Sequence, residues 1–185
     1  MEKLLFTGGT GFLGRNIKPI LDKKYEVTTI GIMDADIIKV NFVSDIPCLP
    51  ERYDIVLHAA GKAHVYPKTE AERKAFYDVN LTGTIHLCEA LENVGVPKAL
   101  IFISTLSVYG GEVVGNMDTE DSKPLIGDTP YADSKIKAEE YLTDWCRKNN
   151  VILGILRPSL LAGKGAPGNL GQGDTGNRQL QIPSV

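Results

Sequence analysis

The chain has 185 residues, 43% hydrophobic and 23% charged, with 20 basic against 23 acidic side chains and a net charge of −3. That suits one ordinary globular domain with enough apolar material for a real core. It excludes a collagen-like, disordered or polyelectrolyte chain, and it offers no basic surface to nucleic acid or an anionic membrane. Cys48, Cys88 and Cys146 have neither disulfide-framework nor metal-knuckle spacing, so no metal is expected and a reducing cytoplasm is the default compartment. No apolar run is long enough for a membrane span, and the apolar start, Leu4 to Phe6, is too short for a signal peptide.

Leu4-Leu5-Phe6 reads as a strand buried on both faces. A glycine turn from Gly8 to Gly14 follows, then a helix over 12–23 that Pro19 shortens or kinks. Residues 25–30 are β-branched and read as the second strand. A weak third strand is expected over 36–43, and the connection to it is too short for a crossover helix. Residues 54–60 make the fourth strand. One helix is expected over 69–94, with Leu81, Ile85, Leu87, Cys88 and Leu91 as its apolar stripe. The fifth strand covers 98–104, a polar loop 110–129, a further helix 131–149 and the sixth strand 151–156. Alternating strands and helices predict an α/β fold with a doubly wound parallel sheet of Rossmann type, with about six strands. After Arg157-Pro158 the pattern fades; residues 163–176 carry six glycines. Residues 1–162 are therefore read as one α/β domain, and 163–185 as an irregular remnant.

Gly8, Gly11 and Gly14 lie between a strand and a helix. One glycine permits the tight turn, one lets a pyrophosphate approach the backbone, and one permits close helix–strand packing. The first helical turn, Phe12-Leu13-Gly14, offers free N–H groups and positive partial charge to phosphates. Tyr131 and Lys135 are four residues apart, so one helix face carries both. An ammonium near a phenol stabilises the phenolate, and the tyrosine can then exchange a proton with a substrate hydroxyl.

These motifs resemble the extended short-chain dehydrogenase/reductase superfamily, the NAD-dependent epimerase/dehydratase family. Thr7-Gly8-Gly9-Thr10-Gly11-Phe12-Leu13-Gly14 matches its glycine signature, and the likeness runs through most of residues 3–171. The resemblance implies NAD or NADP as cofactor. It implies that Asn41-Phe42 lies beside adenine, that Ala59-Ala60-Gly61 lets the cofactor pass close, and that Asn80 braces the active-site backbone. Pro158 is implied near the nicotinamide. His58 reads as a satisfied histidine at a strand end rather than a catalyst. Thr105, four residues before Tyr109, is implied as the third catalytic member with Tyr131 and Lys135; Ser104 is the weaker candidate. Gly31 stands where the family's ribose-binding acid ends the second strand. Asp34 and Asp36 follow as stand-ins, and Arg15 is the nearest partner for a 2′-phosphate. The choice between NAD and NADP stays open, with a lean to NADP.

Residues 165–170 resemble the branch acting on UDP-N-acetylhexosamines, with Asn169 at the nucleotide diphosphate. Leu106-Ser107 replaces the Asp-Glu pair of dehydratases, which argues for a 4-epimerase or 4-keto-sugar reductase on a UDP-hexose or UDP-N-acetylhexosamine, of the kind used in surface-polysaccharide synthesis. The family continues for about 130 further residues, which supply most of the sugar-binding lobe, so the chain reads as truncated or frame-shifted. The competing class is a dinucleotide-binding module without turnover. Relatives pair the helices corresponding to 69–94 and 130–149, which implies a homodimer.

Overall fold

The computed structural model describes residues 1–63, 66–110, 124–159, 161 and 165. Six parallel strands form one sheet: β1 (Glu2–Thr7), β2 (Tyr25–Gly31), β3 (Ile38–Lys39), β4 (Ile55–His58), β5 (Ala99–Ile103) and β6 (Ile152–Leu156). Their order, β3-β2-β1-β4-β5-β6, is that of a doubly wound dinucleotide fold, and its direction reverses between β1 and β4. The register pairs Leu5 with Thr28 on one side and Val56 on the other. Leu4, Leu5, Phe6 and Thr7 are all buried, as a central strand covered on both faces requires.

Side chains alternate between two cores. Leu5, Val56, Leu100 and Phe102 pack with Leu87, Leu91, Leu142 and Trp145, which come from α3 (Gly83–Val94) and α4 (Pro130–Asn149). Leu4, Phe6 and Leu57 face the other way, against Ile17 and Leu21 of α1 (Phe12–Leu21). Among the described residues, no helix is long and apolar enough to cross a membrane.

Two elements differ from expectation. β3 has two residues rather than eight. Asn41 already turns the chain, its Oδ1 accepting from Val43 N at 3.1 Å. The single helix expected over 69–94 is divided into α2 (Glu70–Tyr77), a π-helical turn (Asp78–Thr82) and α3. Thr69 caps α2 through a reciprocal box with Glu72. The π turn is consequential because Asn80 lies in it. The loop expected over 110–129 falls largely outside the described residues, as do Asn169 and nearly all of 163–185.

Candidate active site

The glycine loop sits at the C-terminal end of β1, at the reversal in strand order. Gly8 has φ 74°, and a Cβ there would lie 2.7 Å from Ala59 C and Ala60 N. A Cβ on Gly14 would lie 2.3 Å from the Gly8 carbonyl oxygen and 2.4 Å from that of Gly9. Any side chain at either position must displace backbone. Gly11 caps α1 without a side-chain hydrogen bond, and the first turn holds no acidic residue. Phe12, Leu13 and Gly14 therefore open the helix as an anion-accepting terminus.

A directed chain of hydrogen bonds ties this loop to the helices. Thr7 Oγ1 accepts from Ala60 N at 3.0 Å and Ala59 N at 3.1 Å. Its own proton therefore goes to His58 Nδ1, 2.7 Å away. Thr84 Oγ1 donates to the Asn80 carbonyl at 2.7 Å, so it accepts from His58 Nε2 at 2.8 Å. Both ends demand the neutral Nε2–H tautomer. Burial pushes His58 down to about 3, with the Lys135 charge acting in the same direction. His58 is a structural link, as its sequence context suggested.

Asn80 braces the chain after β4. Its Oδ1 accepts from Lys62 N at 2.7 Å, and its Nδ2 donates to the Lys62 carbonyl at 3.2 Å and to Ser134 Oγ at 2.9 Å. Ser134 Oγ donates in turn to the Tyr131 carbonyl at 2.8 Å. The π turn thereby reaches both Gly61, just before Lys62, and the start of α4. Asn41 is exposed, whereas the Phe42 side chain is buried in the core and its carbonyl bonds to His86 Nδ1 at 2.7 Å. Phe42 thus packs its ring into the core and ties its backbone to α3.

Thr129 caps α4, its side chain accepting from Ala132 N at 3.1 Å, with Pro130 at the first helical position. That start points Tyr131 and Lys135 at the end of β5. Thr105 Oγ1 accepts from Ser107 N and donates to Ser107 Oγ, both at 3.2 Å, capping the short turn Leu106–Tyr109 beside the Tyr131 phenol. Burial raises Tyr131 above its ordinary 10, and the neighbouring Thr105 hydroxyl opposes this. Lys135 Nζ donates to the Ile103 carbonyl at 2.6 Å and stands 4.0 Å over the Phe102 ring centre. A Cβ on Gly61 would lie 3.8 Å from that Nζ. Burial lowers Lys135 to about 7, against the pull of Glu139. The cation expected beside the phenol is instead turned to backbone and ring, and burial dominates the tyrosine's shift. Pro158 lies next to this group, its carbonyl accepting from Leu106 N at 3.0 Å.

Ser104 Oγ donates to the buried Glu139 carboxylate, so its hydroxyl proton is already engaged. Glu139 was not singled out from sequence. A carboxylate one turn after Lys135, between Ala138 and Leu142 on the buried face of α4, was the available signal. Thr7, Thr84 and Ser134 gave no comparable signal, because their partners are distant in sequence.

The pattern of the NAD dependent epimerase/dehydratase family matches residues 4–178. A UDP-glucose 4-epimerase of Vibrio cholerae is 31% identical over 91% of this chain and 54% of its own length. Among solved structures, RMD of Pseudomonas aeruginosa complexed with NADPH aligns with a TM-score of 0.75 at 25% identity, over 89% of this chain and 55% of that one. The UDP-glucose 4-epimerase of Thermus thermophilus complexed with NAD aligns with a TM-score of 0.69 at 27% identity, over 84% and 54%. The chain thus spans about half the length of these relatives. On the glycine loop, the strand order and this match together, the chain belongs to the NAD-dependent epimerase/dehydratase family.

Proposed function

We propose that the chain binds NAD or NADP across the glycine loop and works on a nucleotide sugar, a UDP-hexose or UDP-N-acetylhexosamine, by 4-epimerisation or 4-keto reduction. The observation that carries this reading is the gathering of Thr105, Tyr131 and Lys135 at the β5 edge, beside Gly61 and the glycine loop. The residues fit a dinucleotide: the cradle excludes any Cβ at Gly8 and Gly14, and α1 opens without an acidic side chain. The bound nicotinamide would supply hydride acceptance and donation. Tyr131 would hold the moving proton at its phenolic oxygen, with the neighbouring Thr105 hydroxyl orienting the reacting sugar oxygen. Lys135, drawn to about 7, would regain charge on meeting ribose or phenolate oxygens. The names of the relatives support a UDP-sugar, and Leu106-Ser107 after Thr105 supports epimerisation or reduction over dehydration.

In this reading residues 1–162 form the dinucleotide-binding domain, and 163–185 begin the substrate lobe. A twofold dimer through the helical segments over 69–94 and 130–149 and a reducing, cytoplasmic setting complete it, and sedimentation velocity tests the dimer. The test of function is Tyr131→Phe, which should lower turnover of UDP-sugars about a hundredfold or more while leaving dinucleotide affinity within about twofold of wild type. Dinucleotide binding without product from any UDP-sugar would assign a binding module instead.

A further inference from the structure

We propose that Thr7, His58, Thr84, Asn80 and Ser134 form one hydrogen-bonded chain that couples the dinucleotide cradle to Tyr131, with Ser134 as the positioning residue at its end. The inference rests on the proposed dinucleotide and Tyr131 assignments. The five side chains come from five elements: β1, β4, α3, the π turn and α4. All are polar and buried, none more than 3% exposed. The links Thr7–His58, His58–Thr84 and Asn80–Ser134 span 51, 26 and 54 residues of sequence.

Every link donates the same way. Thr7 Oγ1 accepts from Ala59 N and Ala60 N and gives its own proton to His58 Nδ1. His58 Nε2 donates to Thr84 Oγ1, and Thr84 Oγ1 donates to the Asn80 carbonyl. The chain passes through Asn80 covalently, from its backbone to its side chain. Asn80 Oδ1 accepts from Lys62 N, which fixes the amide, so Nδ2 donates to Ser134 Oγ at 2.9 Å. Ser134 Oγ donates in turn to the Tyr131 carbonyl at 2.8 Å. Two backbone donors fix the head of the chain, and a carbonyl, which can only accept, fixes its tail. No member can turn round without leaving a buried donor or acceptor unpaired.

The two ends lie where the proposed chemistry needs a fixed geometry. Thr7 directly precedes Gly8, and its hydroxyl holds the Ala59–Ala60 backbone against which Gly8 packs. Tyr131 and Ser134 lie three residues apart at the start of α4. A serine hydroxyl inside a helix ordinarily turns to solvent or back onto its own helix, with no gain in stability. Ser134 does the second and also ties α4 to Asn80. The π turn supplies that partner, because it places Asn80 between Lys62 and Ser134. Apolar side chains of matched shape would serve folding about as well as a buried hydrogen-bonded pair. A fully satisfied polar network instead fixes one arrangement. The cradle and the phenol are thereby held to one frame, and Ser134 acts through the Tyr131 backbone rather than on substrate.

Rapid mixing of the NAD-loaded chain with UDP-glucose and with UDP-N-acetylglucosamine tests this in wild type, Ser134→Ala, Thr84→Val and the double variant, each checked by circular dichroism. Each single change is expected to slow nicotinamide reduction at saturating sugar about tenfold, with half-saturation and NAD affinity within about twofold of wild type. The double variant should also be slowed only about tenfold, because both changes break one chain. Nitrogen-15 NMR gives a second reading that needs no substrate. The His58 Nε2 proton should exchange with water about tenfold or more faster in Ser134→Ala than in wild type. Losses that multiply to about a hundredfold in the double variant overturn the coupling and leave the dinucleotide and Tyr131 assignments standing. A rate in Ser134→Ala within about twofold of wild type, or unchanged His58 exchange, does the same. Wild type that reduces no nicotinamide overturns the proposed activity instead, and the His58 exchange then decides the chain by itself.

Discussion

Arg157 holds the buried carboxylate of Glu139 in a two-pronged ion pair: Nε lies 3.1 Å from Oε1 and Nη2 lies 2.6 Å from Oε2. Ser104 Oγ donates to the same carboxylate, and Arg157 Nη1 donates to the Tyr109 hydroxyl at 2.6 Å. The pair therefore locks α4, the chain after β6, and both flanks of Thr105. Glu139→Gln removes the charge and leaves Arg157, whose side chain is 21% exposed, without its counter-ion. A loss of about 3 kcal/mol is expected, read by urea unfolding. Turnover should fall with kcat rather than KM, because Thr105 loses its support and the dinucleotide loop does not.

His58 should remain neutral throughout the physiological range. With its pKa near 3 in the fold and 6.5 in the unfolded chain, the unfolded state takes up a proton that the native state refuses. Stability therefore falls as pH drops from 6.5 toward 3, at up to about 1.4 kcal/mol per pH unit. Nitrogen-15 NMR should find the Nε2–H tautomer, with no imidazole titration between about pH 5 and 8.

Lys135 has the same sign in a different window. Its pKa is about 7 in the fold against 10.5 unfolded, so between those values the unfolded chain holds a proton that the native state has released. Stability contributed at this position rises with pH across that window. Lys135→Met removes the dependence. The unfolding free energy of wild type relative to the variant should increase from pH 7 toward 10.5, as measured by urea unfolding at several pH values.

Gly14→Ala sets two effects against each other. Within a helix the exchange ordinarily stabilises by about 1 kcal/mol. Here the new Cβ would stand 2.3 Å from the Gly8 carbonyl oxygen, and backbone cannot yield as a side-chain end can. The melting temperature is expected to fall, and NAD affinity to drop about tenfold or more as the cradle opens. Thermal scanning and calorimetry check both.

What was legible in the sequence is what local sterics and periodicity dictate. The glycine spacing follows from clashes that any Cβ at Gly8 or Gly14 would make. The position of Tyr131 and Lys135 follows from helix geometry. The division of the 69–94 helix was not legible, because the π turn keeps Leu87, Cys88 and Leu91 buried and leaves the apolar stripe intact. The links from Thr7 through His58 to Thr84, and from Ser104 through Glu139 to Arg157, join residues on different elements. No spacing rule reaches that far.

The most direct measurement is a single turnover. The chain, loaded with oxidised dinucleotide, is mixed rapidly with a UDP-hexose, and nicotinamide reduction is followed by absorbance in wild type and in Tyr131→Phe. The expected result is reduction in wild type and its loss in the variant, with equal dinucleotide occupancy in both. Equal reduction in the two proteins, or none in wild type, would contradict the assignment of Tyr131 as the group that moves the proton.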